Sequence, residues 1–227
     1  MYKKILKFIK RGIRKVLRLI LFIPSYQDVK RRKELADYKF LIKHGVETEL
    51  GYVTLYGQPL ISRVNNSRIV MGRGVVIISD SQFNRSGINH KTVIATEAPG
   101  AEIIIDDGVG ISGSSIVAVE KIHIGENTML GANTNIFDTD FHPVDAKSRI
   151  SQKNIMDAKH NPVKIGKQCW LGANVTVLKG VTLGDRVVVG AMSLVNKDMP
   201  NDTIVGGVPA RVLSNISHIH ESIWKEI

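Results

Sequence analysis

IGKQCW LGANVT VLKGVT LGDRVV VGAMSL VNKDMP, residues 165–200, falls into hexads when cut every sixth residue. The first slot is aliphatic in every hexad: Ile165, Leu171, Val177, Leu183, Val189 and Val195. The second slot holds Gly166, Gly172, Gly184 and Gly190, and the fifth holds Cys169, Val175, Val181, Val187, Ser193 and Met199. Such regularity marks a repeat architecture. An α-helix cannot use this period, because successive repeats drift around its axis, whereas short strands joined by regular corners can. The first slot then points into a shared core, the small second slot fits the tight corner, and each coil buries its apolar edge by stacking on the next.

The register extends upstream in IGENTM LGANTN IFDTDF from Ile124 and, more loosely, in IDDGVG ISGSSI VAVEKI from Ile105. Strand-like patches reach back to about Tyr52. Between roughly residues 138 and 163 the repeat lapses, and such an excursion on a repeat usually carries the binding face. At its near edge FDTDFHPVD, residues 137–145, gathers three carboxylates around His142. On its own the cluster reads equally as a base, a metal ligand or a polar loop.

The totals narrow the choice. The chain has 227 residues and 43% hydrophobic content, enough for a real core. One cysteine, Cys169, excludes an intramolecular disulfide and a cysteine-rich zinc site, and fits a reducing, cytoplasmic compartment; its fifth-slot position makes it a small core residue. The net charge of +10 is confined to one end: residues 1–43 hold 14 Lys+Arg and 3 Asp+Glu, the remainder 17 and 18. The body of the protein therefore gives no electrostatic reason to expect nucleic acid.

That basic end begins MYKKILKFIKRGIRKVLRLILFIP, in which Ile5, Leu6, Ile9, Ile13, Val16, Leu17 and Ile20 recur at helical spacing among eight basic residues. Its apolar run falls short of the ~20 residues that span a bilayer. A helix lying in the interface of an anionic inner leaflet accounts for both faces, each basic residue contributing about 1 kcal/mol there. Packing of the apolar face on the protein's own body is the alternative. The next charged stretch, DVKRRKELADYKFLIKHG, reads as a second short helix ending at Gly45 with a solvated face. The domain plan is a basic amphipathic helical segment over 1–45, the repeat domain over 46–213 and a short C-terminal helix over 214–227.

The hexads, with DTDFHP and PVKIGKQCWLGANVTVLKGVTLGDRVVVGAMSLVNKDMPNDTIVGGVPARVL, resemble the hexapeptide-repeat acetyltransferases, especially the sugar O-acetyltransferases of galactoside and maltose type. NRSGINH and GISGSSI are similar to members that modify bacterial surface polysaccharides. The likeness covers residues 52–213. It implies an all-β fold, a left-handed parallel β-helix, assembled as a homotrimer with acetyl-CoA as donor, a saccharide acceptor and active sites between subunits. Carried over position by position, it implies His142 as general base, Trp170 beside the site, and Ala173 as the backbone amide facing the thioester oxygen. Gly190 and Ala191 would follow the pantetheine arm, and Asn196, Lys197 and Arg211 would lie toward the nucleotide. The asparagine that helps hold the acceptor in galactoside-type enzymes has no match near Ile111 and Ser112, so the acceptor pocket differs and a small free galactoside is a poor candidate.

These residues suit the chemistry. A sugar hydroxyl is a weak nucleophile, and a positioned histidine contributes about 10²- to 10⁴-fold by removing its proton. An amide at Ala173 would stabilise charge developing on the thioester oxygen. Lys197 and Arg211 suit phosphates. Asp140, or else Asp138, is expected to orient His142, Asp140 being equally readable as a polar corner filler; Asp138 and the rival histidine His160 are expected near the acceptor. A zinc enzyme on this fold needs a close pair of histidines, and His90, His123, His142 and His160 are widely spaced, so no metal is expected. Transfer to an amino sugar or an antibiotic, and a non-catalytic trimeric scaffold, are the alternatives. The reading is of a cytoplasmic enzyme peripheral to the inner face of the membrane. Removal of residues 1–23 is expected to abolish co-sedimentation with anionic vesicles; undiminished binding would overturn the membrane part of that reading.

Overall fold

A computed structural model describes residues 26–216. The amphipathic segment over 1–23, and the part of the expected C-terminal helix beyond Ile216, lie outside the described residues.

The hexad period is realised as a prism with three faces, each a parallel sheet in which neighbouring strands belong to successive coils. The first face runs Val46–Glu47, Arg68–Met71, Glu102–Ile105, Lys121–Ile124, Val163–Ile165 and Thr182–Leu183. The second runs Val53–Tyr56, Val75–Ile78, Gly110–Ser112, Met129–Leu130, Trp170–Leu171, Val188–Val189 and Thr203–Gly207. The third runs Leu60–Arg63, Val93–Thr96, Ser115–Ala118, Asn135–Phe137, Thr176–Val177 and Leu194–Val195. This is the left-handed parallel β-helix that the family resemblance implies.

The interior is a set of aliphatic ladders. Ile69, Ile103, Ile122 and Val163 stack on the first face. Leu55, Ile77, Ile111, Leu130, Leu171, Val189 and Val205 stack on the second, and all are buried. All six first-slot and all six fifth-slot residues of 165–200 are buried, Cys169 among them. Each large aliphatic so placed contributes on the order of 1.5–3 kcal/mol relative to exposure.

The corner divides two tasks that the sequence suggested were one. The left-handed backbone falls on the fourth slot, where Asn127, Asn133, Gln168, Asn174, Arg186 and Met192 have φ between 56° and 62°. The second-slot glycine has a different reason. A Cβ on Gly125 would lie 2.7 Å from the carbonyl carbon of Gly166 and 2.8 Å from the amide nitrogen of Lys167, so the next coil's backbone occupies the space.

A helix lies over one end of the prism, and at the other the second face is extended by one further strand. Helix α1, Tyr26–Lys43, lies over the first coil, with Leu41 in the core. Its Asp37 Oδ2 accepts from the Leu55 amide at 3.0 Å, and Lys33 Nζ donates to the Leu55 carbonyl at 2.6 Å. At the far end Ala210–Asn215 pairs antiparallel with Thr203–Gly207, so strand continues two residues past the boundary drawn at 213. Gly125→Ala is expected to lower stability by about 1–3 kcal/mol through overpacking against rigid backbone, read as a shift in the denaturant midpoint.

Candidate active site

The chain leaves the prism after Phe137 and returns at Val163, at the corner between the third and first faces. Three contacts hold the neck of this excursion. Thr139 bridges His160 antiparallel, the Asn161 amide donates to the Asp138 carbonyl at 2.8 Å, and the Asp140 amide donates to the Lys159 carbonyl at 3.0 Å. Asp138 plugs the corner itself. It is fully buried and accepts from the Val119, Glu120 and Lys121 amides at 2.7, 2.7 and 2.8 Å. Burial pushes its carboxyl above the ordinary range, against the pull of the three donors.

Asp138 therefore has no free face for an acceptor, and the buried polar corner that Asp140 might have filled belongs to it. Asp140 turns instead to Lys179 on the next coil, 2.6 Å from Oδ1 to Nζ. Neither aspartate orients the histidine. His160 lies on the return strand, its Nδ1 held by the Ala158 carbonyl at 3.0 Å.

His142 is held by Gln152, a residue to which no sequence pattern pointed. A tight turn presents it: Phe141 has φ +61°, and the His142 amide donates back to the Asp140 carbonyl at 2.7 Å. That conformation is costly for a bulky residue and marks a constrained position. The chain then enters helix α2, Ala146–Ser151, capped by Asp145, and Gln152 follows directly. Gln152 Nε2 donates to the carbonyls of Phe141 at 2.9 Å and Asn154 at 3.0 Å, which fixes which way its amide faces. Its Oε1, 2.7 Å from His142 Nδ1, must then accept, so Nδ1 carries the proton. Nε2 has no partner among the described residues and lies beside an open cleft lined by Phe141, Arg149, Gln152, Lys153, Asn154 and Ile155. Arg149 braces the loop by donating to the Pro143 and Val144 carbonyls at 3.2 and 3.0 Å. The arrangement can remove a proton from a weak acid brought to Nε2.

A second group of predicted residues gathers at another corner. Trp170 projects outward from the second face with 54% of its surface exposed. At the corner that follows, the pairing register stacks Gly131, Gly172, Gly190 and Gly206 in one column and places Arg211 opposite Gly206. Ala173 and Ala191 lie beside it. The third-slot amides of Lys167 and Asp185 are claimed by Asp185 and Asn201 side chains, at 2.8 Å each. The Ala173 amide is claimed by nothing among the described residues. Asn196 and Lys197 fall on the excursion's corner instead, so the third face separates Asn196, Lys197 and His142 from Trp170, Ala173, Gly190, Ala191 and Arg211 within one protomer. Among the described residues no group of three or more His, Cys, Asp or Glu could hold a metal ion.

Residues 162–197 match the bacterial transferase hexapeptide family (six repeats). The Escherichia coli protein WbbJ, whose name assigns it provisionally to O-acetyl transfer in lipopolysaccharide biosynthesis, is 28% identical over 175 residues, 75% of this chain and 76% of that protein. The galactoside O-acetyltransferase of E. coli is 37% identical over 103 residues, and this chain spans about half its length, 48%. The crystal structure of AntD, an N-acyltransferase from Bacillus cereus, is similar at a TM-score of 0.57 and 18% identity, over 86% of this chain and 97% of that one, which shows a shared fold. Residues 162–197 thus carry the hexapeptide repeat of bacterial transferases, and the chain is similar over part or most of its length to proteins named as O-acetyltransferases.

Asp138→Ala is expected to cost about 3–5 kcal/mol, because three amides, that of Val119 buried, lose the acceptor in a buried corner at once; thermal unfolding against Glu120→Ala, which keeps those bonds, would check it.

Proposed function

We propose that the protein transfers the acetyl group of acetyl-CoA to a hydroxyl of a bacterial surface polysaccharide or its precursor, with His142 as general base. The observation that carries this reading is the clamp on His142. With Nδ1–H committed to Gln152, Nε2 beside the cleft is the ring nitrogen that can take a proton from an alcohol. Galactoside O-acetyl transfer and O-acetyl transfer in lipopolysaccharide biosynthesis are what the relatives are named for.

His142 Nε2 takes the acceptor proton as the hydroxyl oxygen bonds to the thioester carbon. The Ala173 amide offers its hydrogen to the charge that develops on the thioester oxygen. Expulsion of the coenzyme A sulfur breaks the thioester, and the proton on His142 passes to that sulfur, which restores the base. No covalent enzyme intermediate is required, and Cys169, buried with its thiol pushed up by burial, is unsuited to form one.

The remaining residues fit the donor. The glycine column at 172, 190 and 206 presents a strip without side chains, along which a pantetheine arm can lie beside Trp170 and Ala191. Arg211 at its end, and Asn196 and Lys197 across the third face, suit the nucleotide phosphates; neither Lys197 nor Arg211 has an acidic partner among the described residues. His160 and the cleft beside His142 face the acceptor. Because base and thioester strip occupy opposite edges of one protomer, a complete site needs two copies. Edges that differ meet head to tail and close as a ring, in keeping with a homotrimer and three sites between subunits. No helix among the described residues is long and apolar enough to cross a membrane, and the basic segment 1–23 would hold the trimer on the inner face of an anionic one.

His142→Ala is expected to lower kcat by about 10²- to 10⁴-fold with little change in acetyl-CoA affinity. Gln152→Leu, which frees the ring and its tautomer, is expected to lower kcat about 10-fold or more and leave acetyl-CoA binding intact. Full transfer by His142→Ala, measured as acceptor-dependent coenzyme A release, would refute the mechanism.

A further inference from the structure

A second loop leaves the prism at the corner that carries the glycine column. It spans residues 79–92, between the second-face strand Val75–Ile78 and the third-face strand Val93–Thr96. Its neck is clasped: the Thr92 amide donates to Ser79 Oγ at 2.9 Å, and Thr92 Oγ1 donates to the Ile78 carbonyl at 3.0 Å. From there it folds along the prism toward Ala173. The Asn89 amide donates to Asn133 Oδ1 at 2.9 Å, and His90 Nε2 meets Ser115 Oγ at 2.9 Å, two coils and one coil further on respectively. Ile88 closes over Gly113, where a Cβ would lie 2.6 Å from the Ile88 Cβ, so side-chain bulk there is excluded and the loop is seated on backbone.

Two features stand on the exposed side of this loop. A polar pocket is lined by Asp80, which caps the short helix Ser81–Phe83 by accepting from Gln82, by Asn89 and His90, which bond each other and the following coils, and by Lys91, a cation without an acidic partner among the described residues. Beside it Phe83 stands against Tyr56, ring centroids 5.4 Å apart, with 47% and 39% of their surfaces exposed. An aromatic pair kept in water next to mixed hydrogen-bonding groups fits a pyranose, whose CH faces stack on rings while its hydroxyls both donate and accept. The register fixes where this lies. Tyr56 pairs with Ile78, Ile78 with Ser112, and that column continues through Gly131 to Gly172. Four coil steps of about 4.8 Å put the aromatic pair ~19 Å from the thioester strip, several sugar rings away.

We propose that the 79–92 loop and the Tyr56–Phe83 pair form a saccharide subsite for units distal to the one acetylated, so that the acceptor is an oligosaccharide or polymer rather than a single sugar. This rests on the proposed function, in that the column leads to the reacting thioester. The position missing an acceptor asparagine near Ile111 and Ser112 lies on the same column, under this loop.

The test uses the full chain with coenzyme A on an array of mono-, di- and longer saccharides from bacterial surface glycans. The expected result is retention on longer members, with binding to their constituent monosaccharides weaker by about tenfold, the scale of one good stacking contact. Phe83→Ala, and separately Tyr56→Ala, should reduce the longer members to the monosaccharide level while acetyl-CoA affinity and the unfolding midpoint stay unchanged. Equal binding of short and long members, binding of none, or an undiminished signal in both variants would overturn the subsite. Failure of His142→Ala to lose transfer would instead overturn the underlying reading, since the array does not depend on chemistry.

Discussion

Backbone laid on backbone at a spacing that admits no side chain at the corner is the constraint from which the rest of this molecule follows. Where Gly125 meets Gly166 and Lys167, the next coil takes the space of a Cβ, and the aliphatic ladders inside settle into the same vertical register. Residues distant in sequence become fixed vertical neighbours. A functional group on such a scaffold is addressed by face, coil and slot, and any segment that leaves must be rooted so that the stack above and below is undisturbed.

The excursion at 138–162 meets that demand with charge. Asp138 seals the corner by satisfying three amides of the preceding turn, and Asp140 reaches Lys179 on the following coil, so the neck is tied to the prism on both sides. A rigid neck is what allows an exposed histidine to be useful. His142 sits outside the core, yet its ring has one proton position, because the amide of Gln152 is committed to two carbonyls and can only accept from Nδ1. Orientation and tautomer come from a neutral side chain.

The third face has two unlike edges. His142 projects from one, while the side-chain-free column, Trp170 and the unclaimed Ala173 amide line the other. The same column, followed toward the N-terminal coils, arrives at an aromatic pair and a polar loop.

Period six was legible in the chain because hydrophobicity and glycine recur with it, and it determined the strands, the inward slots and the buried place of Cys169. The root of the excursion was legible as well, because DTDFHP stands against a regular background and precedes a recognisable repeat. Slot arithmetic failed where the repeat ends: Asp140 continues the fifth slot in sequence, but the chain has already turned out of the prism, so Asp138 takes the corner and Asp140 pairs with a lysine 39 residues away. Gln152 carried no signal at all, since a neutral amide ten residues from a histidine becomes its partner only when a six-residue helix folds it back. The sequence determined what stacks, because burial obeys a local period. Tertiary structure alone decided which polar groups meet, because hydrogen bonds between excursion and prism depend on where the chain returns.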